Sequence, residues 1–199
     1  MNKYKGIFKK NLSMMVLIIL VISISIFVIN LFSSKKNVIQ TVGGSFLLKN
    51  HEGEYFNSKN IKKKKLIYFG YTYCPDICPM DVLKISQVYD LNKDLRNELL
   101  PIFITVDPQR DDQITVKNFI ENFNDAFIGL TGSTKEIDEV IKSFKIYVNY
   151  NKKNEKDNTY LVDHSSLIFI VDENDNFLAL LRPNEVSIDN IKKYLKEVI

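Results

Sequence analysis

Residues 66–71 of this 199-residue chain, Leu66-Ile67-Tyr68-Phe69-Gly70-Tyr71, form a continuous apolar and aromatic run. A paired-cysteine turn follows at once: Tyr73-Cys74-Pro75-Asp76-Ile77-Cys78-Pro79. A short apolar run bounded by turn residues predicts a strand buried on both faces. From 79 to about 97, Val82, Ile85, Val88, Tyr89, Leu91 and Leu95 recur at helical spacing. The segment therefore reads strand, cysteine turn, helix, and this order limits the choice of fold more than anything else in the chain.

The remaining pattern extends that unit. Residues 45–48 and 54–56 read as two short strands around the turn-rich Asn50-His51-Glu52-Gly53. The lysine run 62–65 reads as a solvated loop. Residues 99–106 form a second buried strand ending at Asp107-Pro108, and Asp111 is placed to cap a helix with Ile114, Phe119, Ile120 and Phe123 on its faces. Residues 127–130 are a short strand. Ser133-Thr134-Lys135-Glu136 is a capping box that opens a helix to about 144. Residues 147–151 and 159–162 flank the polar segment 152–158, an exposed loop. Residues 167–171 and 177–181 flank Asp172-Glu173-Asn174-Asp175-Asn176, a hairpin turn, and Ser187 caps a final helix to the last residue. This order predicts α/β with a mixed central sheet. A βαβ unit with cysteines at the start of its first helix, and a terminal ββα unit, suggests the thioredoxin-like fold, which by itself fixes no function.

Residues 12–32 are apolar apart from Ser13, Ser23, Ser25 and Asn30, and carry no charge. A helix needs about 20 such residues to cross a bilayer. Phe32-Ser33-Ser34-Lys35-Lys36 is a poor cleavage site, so the run reads as an uncleaved anchor rather than a removed signal peptide. Lys3, Lys5, Lys9 and Lys10 precede it, against Lys35 and Lys36 after it, which places the N-terminus in the cytoplasm. The expected organisation is a cytoplasmic 1–11, a transmembrane helix over 12–32, a linker over 33–42 and a domain over 43–199 facing the periplasm from the inner membrane. The net charge is +3, and setting aside those first four lysines leaves it slightly negative. The excess of Lys over Arg, with abundant Asn and Ile, matches an AT-rich genome. No nucleic-acid footprint remains.

Cys74 and Cys78 are the only cysteines. On a helix, positions i and i+4 share a face, so both sulfurs address one point. That point suits a disulfide or a soft metal ion, and two thiolates alone leave a zinc site incomplete. A strand-to-helix junction supplies free N–H groups and a positive helix end, both of which favour thiolate. A staple disulfide over so short a loop stabilises little. The chain has two histidines. His51 falls in a turn and reads as a solvent-exposed residue without a partner. His164, in Val162-Asp163-His164-Ser165-Ser166, precedes the strand at 167–171, and in a thioredoxin-like fold that loop faces the cysteine turn. Two thiolates select Cu(I), and an added imidazole also suits Cu(II). Asp163 is the candidate to orient the ring.

These stretches resemble the Sco/SenC family of copper-binding, membrane-anchored thioredoxin-like proteins. The matching segments are Gly43-Gly44-Ser45-Phe46, the block from Phe69 to Pro79, Val106-Asp107-Pro108-Gln109-Arg110-Asp111, Leu130-Thr131-Gly132-Ser133 and Val162-Asp163-His164-Ser165. They span the soluble domain in family order. The resemblance implies copper held by Cys74, Cys78 and His164, and a role in building the CuA centre of cytochrome c oxidase subunit II. Tyr73 and Gln113 depart from the family, which often has His and Pro there. Three functions compete: a copper metallochaperone, a thiol–disulfide reductase that keeps the CuA cysteines reduced, and a copper or redox sensor. Each draws on the same pair and on a periplasmic thiol reductant to reset it. Peroxide reduction needs an arginine beside the thiolate, and the neighbouring sequence has none.

Overall fold

The computed structural model describes residue 14 and residues 18–26, 42–91, 93–154, 156 and 158–183. The chain divides into two compact units, Met1–Gln40 and Thr41–Ile199, and the α/β fold belongs to the second. In the first, residues 18–26 are helical and apolar on every side. Ser23 and Ser25 donate their hydroxyls to the Leu20 and Val21 carbonyls of the same helix, at 2.9 Å each, which hides their polarity. Among the described residues no helix is long and apolar enough to cross a membrane. Most of the expected anchor and linker, and the final helix expected from Ser187, lie outside the described residues.

The second unit contains strands β1 (Leu47–Asn50), β2 (Tyr55–Asn57), β3 (Lys64–Gly70), β4 (Leu99–Thr105), β5 (Ile128–Thr131), β6 (Val148–Tyr150), β7 (Val162–His164), β8 (Ile168–Val171) and β9 (Phe177–Leu181). Its helices are α1 (Ile77–Leu91), α2 (Lys93–Glu98), α3 (Gln113–Ile120) and α4 (Thr134–Phe144). Seven strands form one mixed sheet in the order β2-β1-β5-β4-β3-β8-β9, while β6 and β7 pair as a separate ribbon. β3 runs parallel to β4 and β4 to β5, whereas β8 lies antiparallel to β3. β3 is central, so Leu66, Ile67, Tyr68 and Phe69 are all buried.

Alternation along β3 sorts the core into two faces. Tyr68 packs with Phe103, which packs with Phe119 of α3. Phe69 points the other way, to Phe144 of α4 and Phe169 of β8. Gly129 lets α3 lie close on β5: a Cβ there would come within 2.5 Å of Val116 Cγ1. Ser133 and Glu136 form both halves of the predicted capping box.

Several expectations need correction. The lysine run is no solvated loop, because β3 begins at Lys64 and Lys65 is fully buried. Its Nζ lies 2.8 Å from Asp175 Oδ1, an ion pair rather than an aligned hydrogen bond, and also donates to the Asp172 and Glu173 carbonyls. Asp175 sits in the β8–β9 turn at φ 65°, and its other oxygen accepts from Ser58 Oγ at 2.7 Å. Asp112, not Asp111, caps α3 by accepting from Thr115 N. Gln113 begins that helix and donates to the His51 carbonyl at 3.2 Å. α1 and α2 together cover the helix expected over 79–97, with residue 92 between them outside the described residues. His51 is largely buried, its side chain 14% exposed, and its Nδ1 accepts from Gly129 N. His164 ends strand β7 and is not in a loop.

The Lys65–Asp175 pair gives a direct test. Removing one member of a buried pair strands the other charge, at about 3–5 kcal/mol. Asp175→Asn should lower Tm by roughly 10 °C. Glu52→Gln, which breaks an exposed pair with Lys117, should leave Tm nearly unchanged. Equal thermal shifts for the two variants would refute the assignment of the buried pair as the stronger one.

Candidate metal and redox site

β3 ends at Gly70, and the chain turns through Tyr71 to Asp76 before α1 begins at Ile77. Two contacts shape that turn. Cys74 N donates to the Tyr71 carbonyl at 3.2 Å. Thr72 is tied to the buried carboxylate of Asp111 through its N (2.9 Å) and Oγ1 (2.6 Å). Cys78 lies in the first turn of α1, where backbone N–H groups have no partner within the helix. Its N–H points instead at Cys74 Sγ, 3.4 Å away. The Cys78 side chain is fully buried over the end of β3, and a Cβ on Gly70 would stand 3.2 Å from its sulfur. Cys74 is only partly buried.

This placement splits the pair chemically. The Cys74 thiol is pulled down to about 3, first by the hydrogen bond from Cys78 and further by the Asp76 and Cys78 N–H groups, all against partial burial. The Cys78 thiol is pushed up, first by sharing its proton with Cys74 and then by burial. Cys74 therefore carries the thiolate and Cys78 keeps the proton.

His164 closes the site. Its Nε2 lies 3.1 Å from Cys78 Sγ, and its Nδ1 lies 3.2 Å from the Ser165 carbonyl. A carbonyl only accepts, so Nδ1 bears the hydrogen and the Nε2 lone pair faces the sulfurs. Tyr71 and Tyr68 hold the ring edge-on, with centroids at 5.9 and 6.4 Å. Asp163, the expected orienter, is exposed and accepts from Asn151 Nδ2 instead. Ser166 donates to Asp81, a buried carboxylate that also accepts from Tyr68 at 3.1 Å. Burial, Cys78 and Asp81 together push the Tyr68 hydroxyl far up.

Cys74, His164, Ile77, Leu161 and Tyr71 line a cleft of about 290 Å³. Hollows of about 320 and 440 Å³ elsewhere are larger but carry carboxylates and hydroxyls without thiol or imidazole. Chemistry, not size, marks the site. Among the described residues no three His, Cys, Asp or Glu side chains are already closed around a metal-sized space. The donors present are two sulfurs and an imidazole lone pair, a set that suits a soft transition ion and leaves hard cations without oxygen ligands.

A family model described as SCO1/SenC matches residues 34–199. The chain belongs to that family. The SCO2-like protein RC0895 of Rickettsia conorii is 39% identical over 138 residues, which cover 69% of this SCO1/SenC chain and 67% of that one. The solved structure of Arabidopsis thaliana ScoI with copper bound has a TM-score of 0.72 at 33% identity, over 79% of this chain and 97% of that one. BsSco has a TM-score of 0.62 at 27% identity, over 80% and 94%; it is described as having a disulfide switch and as a member of the Sco family of cytochrome c oxidase assembly proteins. The α/β fold with its mixed sheet is thus the thioredoxin-like fold of this family.

Sequence reasoning gave no site role to Asp111, Asp81 or Arg110. Arg110 comes near the motif in space, over the Tyr71 and Tyr73 rings at 5.7 and 5.0 Å. Its Nε and Nη1 nevertheless go to Asp107 and to the Tyr160 carbonyl. No local signal marks their role, because the contacts that tie them to the site, Asp111 with Thr72, Arg110 with Tyr160 and Asp81 with Ser166, join residues distant in the sequence.

The split pair predicts a pH profile. A thiol titrating near its usual value of about 8.5 alkylates faster with each rise in pH below that point. Cys74, held at about 3, should alkylate at a nearly constant rate from pH 5 to 8. Cys78 should resist throughout. Mass mapping of iodoacetamide adducts distinguishes the two, and a Cys74 rate that climbs steeply over this range would refute the assignment.

Proposed function

We propose that this protein is a membrane-anchored copper metallochaperone. It binds one copper ion as cargo through Cys74, Cys78 and His164, and serves assembly of the CuA centre of cytochrome c oxidase subunit II. The observation that carries this reading is the 3.1 Å approach of His164 Nε2 to Cys78 Sγ, beside the Cys74 thiolate. The family's place among oxidase assembly proteins and the copper-bound ScoI structure support it. The apolar run 12–32 is its anchor, the N-terminal lysines keep that end in the cytoplasm, and the domain works in the periplasm.

The residues divide the task. Cys74 offers a ready thiolate at the cleft. Cys78 must lose its proton before it can ligate, so loading releases a proton. The Ser165 carbonyl fixes the tautomer that presents Nε2. Copper supplies the charge and soft acceptor that hold two thiolates together, and its departure returns them to redox chemistry.

A second reading rests on the split pair. The Cys74 thiolate attacks a partner disulfide and forms a mixed disulfide, expelling one partner thiolate. Cys78 then attacks Cys74 Sγ, and its proton passes to the second partner sulfur as that sulfur leaves. The partner gains two electrons and the pair closes as Cys74–Cys78. A periplasmic dithiol must reopen it by the reverse exchange. A sensor would use the same states without transfer.

Incubating the reduced protein with an apo CuA domain, and following copper and free thiols together, separates these readings. The metallochaperone transfers copper, the reductase opens a CuA disulfide without it, and the sensor does neither. Cys74→Ala or Cys78→Ala should abolish stable Cu(I) binding, because one thiolate and an imidazole make a poor Cu(I) site. His164→Ala should weaken Cu(II) more than Cu(I); undiminished binding of both ions would overturn the three-ligand site. Prior oxidation of the pair should block Cu(I) uptake. A reporter fused after Ile199 should be active only if it functions in the periplasm.

A further inference from the structure

We propose that Arg110 is the positioning residue that holds His164 against the cysteine pair. His164 does not belong to the main sheet. It ends β7, whose only strand partner among the described residues is β6, with Val148 opposite His164. The ribbon therefore needs other attachments to keep the imidazole over the sulfurs.

The loop after β4 supplies them. Arg110 is nine-tenths buried. Its Nη1 donates to the carbonyls of Tyr160 (2.8 Å) and Asn158 (3.3 Å), on the segment leading into β7. Its guanidinium carbon lies over the Tyr160 ring, 3.6 Å from the centroid, with the Tyr73 ring of the cysteine turn at 5.0 Å. Asp107 completes the unit: one oxygen accepts from Arg110 Nε at 2.5 Å and the other from Tyr160 Oη at 2.6 Å. The next residue, Asp111, holds Thr72 on the cysteine side. One short loop thus grips both halves of the site, with Arg110 on the imidazole half. A lysine cannot reproduce this grip, since it lacks the planar fork and the stacking surface.

The copper arm of the test rests on the proposed function; the other arm does not. The full-length chain in detergent micelles is compared with Arg110→Met, the gentler Arg110→Lys and His164→Ala. In the metal-free reduced state, nuclear Overhauser contacts between the His164 and Tyr71 rings report the position of the imidazole. They should be strong in the wild type and weak or lost in both Arg110 variants, with the cysteine-turn contacts retained. Cu(II) affinity should fall about 10–100-fold in Arg110→Met, the usual effect of removing a residue that orients a metal-bound histidine. Cu(I) affinity should fall less, and adding Arg110→Met to His164→Ala should cost nothing further. Wild-type ring contacts in either Arg110 variant overturn the proposal. If Arg110→Met does not fold, Arg110→Lys decides. If the wild type binds no copper, the metallochaperone reading fails while the ring contacts still decide the role of Arg110.

Discussion

The carboxylate of Asp111 holds the business end of the sheet together. It accepts from Thr72 N and Oγ1 beyond β3 and from Thr105 Oγ1 on β4, while its backbone carbonyl accepts from Thr131 Oγ1 on β5. Three parallel strands thus end on one buried residue. Burial pushes its pKa up, and the threonine donors oppose that rise. A bare carboxylate in such a place would be costly; three donors make it tolerable, and the geometry they demand fixes the cysteine turn. The turn is then set by the sheet rather than by its own sequence.

Lys65 and Asp175 act at the opposite end of β3 from the cysteines. Their ion pair joins the start of β3 to the β8–β9 turn, and Ser58 links it onward to Phe46 N beside β1. The central strand is clamped by buried polar groups at both ends and by aromatic packing on both faces. Such a strand can move little. The ribbon that carries His164 differs: Val162 N donates to Tyr71 Oη, Ser166 Oγ to Asp81 and Arg110 Nη1 to the Tyr160 carbonyl, and no sheet flanks it on either side among the described residues. The sulfur half of the site rests on the rigid part of the molecule, and the imidazole half on attached side chains.

What the sequence revealed follows the range of the interactions involved. The β3 run, the cysteine turn and the Ser133 capping box are local patterns, and the structure contains all three. Boundaries drifted where the deciding contact was remote. Residues 159–162 seemed to be the ordered segment, but the strand is Val162–His164, because pairing with Val148–Tyr150 selects that register. Lys65 looked like part of a solvated run because its partner lies more than a hundred residues away. Asp111 and Asp112 are adjacent acids; only the fold shows that one caps a helix and the other is buried under the site. Asp163 failed as orienter because neighbours on a strand point to opposite sides, leaving the Ser165 carbonyl to meet Nδ1.

The spacing of Cys74 and Cys78 predicted that the two sulfurs would meet, but not that they would differ. They meet because the chain turns into α1 between them. They differ because Cys74 stands outside the helix at the cleft, while Cys78 stands inside its first turn, beneath His164 and against Gly70. The free N–H groups at the start of α1 therefore point at Cys74 and stabilise its charge, and burial keeps the proton on Cys78. A soft metal and a disulfide partner both approach through the same opening and meet the same thiolate first. The choice between copper chemistry and thiol exchange then depends on what removes the Cys78 proton. In the proposed copper site a metal would do so by binding both sulfurs at once, with the His164 lone pair completing the set. In the proposed exchange the mixed disulfide would make Cys74 the target of the buried thiol, whose proton would pass to the departing partner sulfur. The geometry that serves one serves the other, which is why a single pair can support both readings and why the imidazole, not the sulfurs, tells them apart.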